Sequence, residues 1–288
     1  MSKVGKIERI LIFRLSSIGD IILTSALIRC LRNTYPLAQI DFVVKSQFVQ
    51  LVESNPNIST VYGFESKKGF SELKRLRNQL VENNYDVFLD IHKNYRSLFF
   101  RSAFKNAVVL KYKKNIFKRT LLVSFGINRY KNELPVYRRF IEAAKSIGVE
   151  YDGRKTDFFV PDNAKQSFSA IALAKQFNVS KQYVAIMCGA SFENKKWPKE
   201  NFKVLVQRLT DINIPVVLVG GKSEIQDTEF IAEGFSETDV FNFTGVLDLL
   251  QTAALLKSAT LTVSNDTGML HLSEALGVPV VGIYRYNG

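Results

Sequence analysis

Arg9-Ile10-Leu11-Ile12-Phe13, followed closely by Ser16-Ser17-Ile18-Gly19-Asp20, is the stretch on which the fold turns. The first five residues are a short apolar run and the next five are mostly small or polar. Residues 21–32 then carry apolar side chains at helical spacing up to Pro36. This is strand, tight turn, helix. A second apolar run at residues 40–44 follows at once, and a third, Asp86-Val87-Phe88-Leu89-Asp90-Ile91, comes after a polar stretch of helical spacing at 70–83. Alternation of this kind specifies parallel strands joined by helical crossovers.

Residues 134–148 again read as helix, with Pro135 near the start and Gly148 at the stop, and 151–165 are polar and irregular around Pro161. A domain boundary belongs there, giving domains 1–160 and 161–288. The second half repeats the logic: strands at 183–187, 215–219, 259–263 and 278–284, helices at 199–210, 247–257 and 268–276. The expected fold is α/β, with two doubly wound units.

Composition narrows the class. With 46% hydrophobic and 23% charged residues, the 288-residue chain has the balance of an ordinary globular protein. No apolar run approaches the roughly 18–20 residues needed to cross a bilayer, and residues 1–8 lack a signal-peptide block, so a cytoplasmic location is expected. Cys30 and Cys188 show no paired spacing, and with only His92 and His271 beside them a zinc site is not expected. The net charge of +12, concentrated in the first half around Lys111, Lys113, Lys114, Lys118, Arg119, Arg129 and Lys131, points to an anionic partner. Nucleic acid, an anionic membrane face and a phosphorylated substrate fit that charge equally.

Open parallel sheets bind ligands beyond the carboxyl ends of their strands. Four such ends carry unusual residues. Ser264-Asn265-Asp266-Thr267-Gly268, leading to His271, sits between a strand and a helix. Asp266 or Thr267 can cap that helix, while Gly268 and the helix dipole suit a phosphate, so the segment reads equally as a plain cap or an anion site. Gly189-Ala190-Ser191 with Lys195-Lys196-Trp197-Pro198 adds hydroxyls and cations beyond another strand end, and Trp197 fits a staple at a helix entry better than a stacking platform. Glu224, after Gly220-Gly221-Lys222-Ser223, is placed to accept from ribose hydroxyls. Ser16 to Asp20 lacks the GxGxxG spacing of a dinucleotide site. Asp20 is open to two readings there, helix cap or general base.

Together these motifs resemble family 9 glycosyltransferases, the ADP-heptose:lipopolysaccharide heptosyltransferases. The resemblance runs along essentially the whole chain, through Ile10-Leu11-Ile12-Phe13-Arg14-Leu15-Ser16-Ser17-Ile18-Gly19-Asp20-Ile21-Ile22, Gly189-Ala190-Ser191, Lys195-Lys196-Trp197-Pro198 and Ser264 to Gly268 with His271. It implies a glycosyltransferase B architecture, two Rossmann-like domains facing across a cleft, the first for acceptor and the second for sugar nucleotide. By similarity Asp20 matches the catalytic base, Lys195 the diphosphate-binding lysine, and Asp266, Thr267, Gly268 and His271 the donor loop. Ser191 and Glu224 join the donor side; Ser17, Gly19, Arg96 and Ser97 are the acceptor-side candidates.

The activity implied is inverting transfer of heptose from ADP-heptose to the phosphorylated inner core of lipopolysaccharide. No metal and no cofactor beyond the donor substrate is expected, and no nucleic-acid partner. Peripheral contact with the anionic inner face of the inner membrane is expected too. Family members continue beyond the strand at 278–284, so a short second domain is also expected, with activity depending on what it lacks. The alternatives are a non-catalytic or truncated nucleotide-sugar-binding relative and an enzyme using another nucleotide sugar.

Overall fold

The computed structural model describes residues 6–113, 134–190 and 192–284. Ser191 and the basic residues Lys114, Lys118, Arg119, Arg129 and Lys131 lie outside the described residues. The chain divides into two compact units, Met1–Thr156 and Asp157–Gly288, against the 160/161 division expected from the sequence.

In the first unit, strands β1 (Arg9–Phe13), β2 (Gln39–Lys45), β3 (Thr60–Phe64), β4 (Val87–Asp90) and β5 (Val108–Lys111) form one parallel sheet in the order β3-β2-β1-β4-β5. Its described helices are α1 (Ile18–Leu23), α2 (Ser25–Thr34), α3 (Gly69–Val81), α4 (Tyr95–Arg101) and α5 (Val136–Glu142). The central strands are mostly apolar, with Asp41 the buried exception within β2, because helices cover both sheet faces. One face buries Leu11, Phe13 and Val43 against Leu73, Leu76 and Leu80 of α3 and Phe100 of α4.

The second unit uses β6 (Val184–Met187), β7 (Val216–Leu218), β8 (Val240–Asn242), β9 (Leu261–Asn265) and β10 (Val280–Ile283), again all parallel, in the order β10-β9-β6-β7-β8. Counted from its own first strand, this is the strand order of the first unit. Helices α6 (Asp162–Ala174), α7 (Lys199–Thr210), α8 (Ile225–Ala232), α9 (Leu249–Ser258) and α10 (Gly268–Ala275) complete it. In both sheets the first and fourth strands lie side by side and their crossovers leave in opposite directions. That is the switch point at which such sheets open a crevice.

Two expectations need correction. The first helix begins at Ile18, not Ile21, and breaks at Thr24, whose hydroxyl donates to the Asp20 carbonyl at 2.8 Å. A threonine bonding back to the preceding turn competes with the helical ladder, so one expected helix becomes two. The helix expected over 134–148 ends at Glu142, followed by a 3-10 turn at Lys145–Ile147 that Gly148 stops with φ 84°.

Candidate functional site

At the first switch point, β1 delivers Arg14, Leu15, Ser16 and Ser17 over the sheet edge. Ser17, not Asp20, occupies the cap position of α1, and Asp20 sits in the helix's first turn. Ser17 is exposed, Gly19 is buried, and the Asp20 side chain is 34% exposed. The Ser17 hydroxyl donates to Asp20 Oδ2 at 3.1 Å, and the buried Arg14 guanidinium is ion-paired with the same oxygen. Arg14 also donates from Nε to the Ser16 carbonyl at 2.7 Å and from Nη1 to the Ile91 carbonyl, just past β4, at 2.5 Å. Burial pulls the guanidinium below its usual value and the Asp20 carboxylate opposes that pull. A carboxylate fixed this way projects from a helix start with its position set by two adjacent strands.

Beyond β4, Asp90 is fully buried. It accepts from the Lys93 amide at 2.7 Å and the Ser97 hydroxyl at 2.8 Å, with Arg101 at 3.3 Å. Ser97 is itself fully buried and forms a capping box with Asn94. The Ser97 hydroxyl, expected on the acceptor side, bonds to Asp90 and to the start of α4. Arg96 is half-buried, with its guanidinium 4.9 Å from the centre of the Tyr95 ring.

At the second switch point, β6 leads through Cys188 into Gly189-Ala190, and β9 ends in Ser264-Asn265. Asn265 is fully buried and ties the two ends together, donating to the carbonyls of Cys188 at 2.6 Å and Gly189 at 3.3 Å and accepting from the Trp197 amide at 3.1 Å. The 3-10 turn Glu193–Lys195 then brings the Lys195 ammonium to 2.5 Å from Asp266 Oδ2, a half-exposed pair. Thr267 caps α10, its hydroxyl accepting from the Met269 amide at 3.2 Å, and Gly268 is the first helical residue. His271, one turn along, has Nδ1 3.2 Å from Glu274 Oε2. Trp197 stacks edge-on to Phe202 at 4.9 Å across the entry to α7, a staple as expected.

Glu224 stands beside the same edge. Its Oε2 accepts from the Gly221 amide at 2.7 Å and Oε1 from the Ser223 hydroxyl at 2.6 Å. Glycine at 189 and 220 makes room for it, since a Cβ at Gly189 would lie 2.8 Å from Glu224 Cγ and one at Gly220 3.0 Å from Glu224 Cβ. Cys188, under this floor, is pushed up to about 12 by burial and is chemically inert there.

Lys195, Asp266, Thr267, Gly268 and His271 thus lie along one edge in the second unit, and Ser17, Gly19 and Asp20 along the equivalent edge of the first. Sequence reasoning missed Arg14, Asn265, Glu274 and Tyr284. Arg14 and Asn265 stand inside quoted motifs, and their signal was a polar residue at the end of an apolar strand. Tyr284 is raised by burial and then by the Asp266 and Glu274 carboxylates, with Lys195 acting against them, which marks it as a neighbour of the edge that carries Lys195 and Asp266. Among the described residues no group of three His, Cys, Asp or Glu side chains is arranged to hold a metal, and no helix is long and apolar enough to cross a membrane.

Comparison with known proteins identifies the family and the fold. The sequence pattern of glycosyltransferase family 9 (heptosyltransferase) matches residues 73–287. The lipopolysaccharide core heptosyltransferase OpsX of Haemophilus influenzae is 26% identical over 96% of this chain and 78% of its own length. A family 9 glycosyl transferase from Veillonella parvula superposes with a TM-score of 0.83 at 20% identity, covering 98% of this chain and 82% of its own. The Escherichia coli heptosyltransferase WaaC, solved with ADP, superposes with a TM-score of 0.72 at 24% identity, covering 95% and 86%.

Proposed function

The chain belongs to glycosyltransferase family 9, the heptosyltransferases, and from that premise we propose that it transfers heptose from ADP-heptose to the inner core of lipopolysaccharide, inverting the anomeric centre. The reading is carried by one observation: at the second switch point a lysine ammonium, a glycine-led helix start and its threonine cap converge. That set suits a diphosphate, with the helix dipole and the Lys195 charge acting on the same anion. Glu224, cradled by Gly189 and Gly220, faces the nucleoside side and accepts from ribose hydroxyls.

Asp20 is the base. As the acceptor hydroxyl attacks the anomeric carbon, its proton passes to the Asp20 carboxylate, the new glycosidic C–O bond forms, and the bond to the diphosphate oxygen breaks. ADP leaves with the negative charge, which Lys195 and the N-terminus of α10 stabilise where a metal ion would otherwise serve. Arg14 holds the Asp20 carboxylate in place, and His271, oriented by Glu274, completes the donor edge. No cofactor beyond the donor takes part. The surplus of cations is assigned to a phosphorylated, membrane-anchored acceptor in place of nucleic acid, with the enzyme working at the inner face of the inner membrane.

The test supplies ADP-heptose and a deep-core lipopolysaccharide and follows ADP release. Turnover is expected, with loss in Asp20→Ala. Full turnover in that variant removes the assigned base, and ADP binding by calorimetry without any transfer removes the enzymatic reading.

A further inference from the structure

Phe70, Tyr95 and Leu98 are 64%, 70% and 52% exposed. They sit where α3 and α4 begin, beyond the carboxyl ends of β3 and β4, on the sheet edge that also carries Asp20. The Phe70 and Phe99 rings meet at 4.8 Å, which joins the two helix starts into one patch. Tyr95, Leu98 and Phe99 share one face of α4 by their i, i+3, i+4 spacing, and Phe70, Lys74 and Arg77 share one face of α3.

The rim is cationic. Arg77 lies 4.1 Å over the Phe99 ring and Arg96 4.9 Å over the Tyr95 ring, each laying its stem along apolar surface. The nearby carboxylates are already matched, Glu65 with Lys68 at 2.9 Å and Glu72 with Arg75 at 2.7 Å. Lys67, Lys74, Arg77 and Arg96 have no carboxylate partner among the described residues. Aromatic and aliphatic side chains exposed together inside a ring of unmatched cations suit the boundary between headgroups and acyl chains.

We infer that this patch docks the enzyme on an anionic lipid bilayer. Phe70, Tyr95 and Leu98 enter the headgroup region while Lys67, Lys74 and Arg96 meet lipid phosphates. Charge complementarity selects a bilayer over a protein groove, because Lys67, Lys74, Arg77 and Arg96, the unmatched groups named around the patch among the described residues, all carry positive charge. The surface deepens the proposed function: a lipid-anchored acceptor enters from the bilayer beside the edge that holds Asp20.

The experiment sediments the full chain with vesicles of phosphatidylglycerol and phosphatidylethanolamine, and separately with phosphatidylcholine vesicles. Binding to the anionic vesicles alone is expected. The double variant Phe70→Glu/Leu98→Glu should bind about tenfold more weakly, and Lys67→Gln and Lys74→Gln about fivefold each. The double variant should turn over a deacylated, water-soluble acceptor like wild type and lose rate only on vesicle-borne acceptor. Wild type left in the supernatant, equal binding to neutral vesicles, or a double variant that binds unchanged overturns the surface. So does a dimer that Phe70→Glu converts to monomer without vesicle binding. Wild type that needs the patch for vesicles yet transfers to neither acceptor upholds the surface and removes the functional reading.

Discussion

Arg14 and Asp20 form an ion pair in which the arginine is buried and the carboxylate is one-third exposed, and the arginine's other nitrogens are held by the Ser16 and Ile91 carbonyls. The cation is fixed by backbone just past the ends of β1 and β4, so it sets where the carboxylate points. Arg14→Met should lower kcat by about 100-fold through misplacement of the proposed base, leaving ADP affinity unchanged because the proposed donor residues belong to the second unit. Steady-state kinetics beside calorimetry checks this, and an unchanged kcat refutes the positioning role.

Lys195 is the charge assigned to the diphosphate. Removing one charge-assisted contact costs about 1.5–3 kcal/mol, so Lys195→Ala should weaken ADP binding by roughly 10- to 150-fold and lower kcat as well. Adenosine, which carries no phosphate, should bind the variant and wild type alike. Calorimetry with the two ligands separates a phosphate contact from a general loss of the pocket.

Gly189→Ala places a methyl 2.8 Å from Glu224 Cγ, so the carboxylate must move. Nucleotide affinity should fall by a similar factor in Gly189→Ala and Glu224→Ala, and the double variant should be no worse than either single. A double-mutant cycle measures that coupling, and additive losses would separate the two residues.

Ser97 is predicted to matter for stability alone. Ser97→Ala removes a donor from the fully buried Asp90 and an acceptor from the Asn94 amide, costing about 1–3 kcal/mol. Denaturant unfolding should show that loss while KM for acceptor stays put, and a raised KM with unchanged stability would restore Ser97 to the acceptor site.

Arg29 is buried and donates to Asp152 from Nε at 2.6 Å and to the carbonyls of Arg154 at 2.9 Å and Lys155 at 2.7 Å, locking the segment after α5 onto α2. The Arg29 hydrogen bond holds the Asp152 carboxyl at about 2, against an ordinary 3.8. A depressed carboxyl stabilises the fold above its unfolded value and loses that stabilisation as pH falls through its folded one. About 2 kcal/mol should therefore disappear between pH 4 and pH 2. Asp152→Asn should abolish that acid-side slope and cost about 3–5 kcal/mol at neutral pH, because it strands the arginine charge. An unchanged acid-unfolding profile in the variant contradicts the pair's role.

The central strands were legible because parallel strands covered on both faces are mostly apolar, as β1, β2, β4 and β6 are apart from Arg9, Gln39, Asp41, Lys45 and Asp90. The edge strands β3 and β5 are half-exposed and short, and β8 is three residues long, so none stood out. The residues at Asp20, Lys195 and Thr267 were readable as small or charged groups at strand ends. What holds them was not. Arg14 reaches Ile91 across 77 residues and Asn265 reaches Cys188 across the same interval, and such pairings exist only once strands from distant segments lie side by side.

The contact between Lys195 and Asp266 sets an entry requirement for the proposed donor edge. Any incoming anion competes with a carboxylate already 2.5 Å from the ammonium. A singly charged solute gains little by replacing one negative charge with another. A group carrying two or more charges, able to bridge Lys195 and the start of α10 at once, gains both attractions. The site should therefore ignore the chloride and carboxylate metabolites that crowd a cell and register only multiply charged phosphates, a filter by valence built from a single pair of side chains.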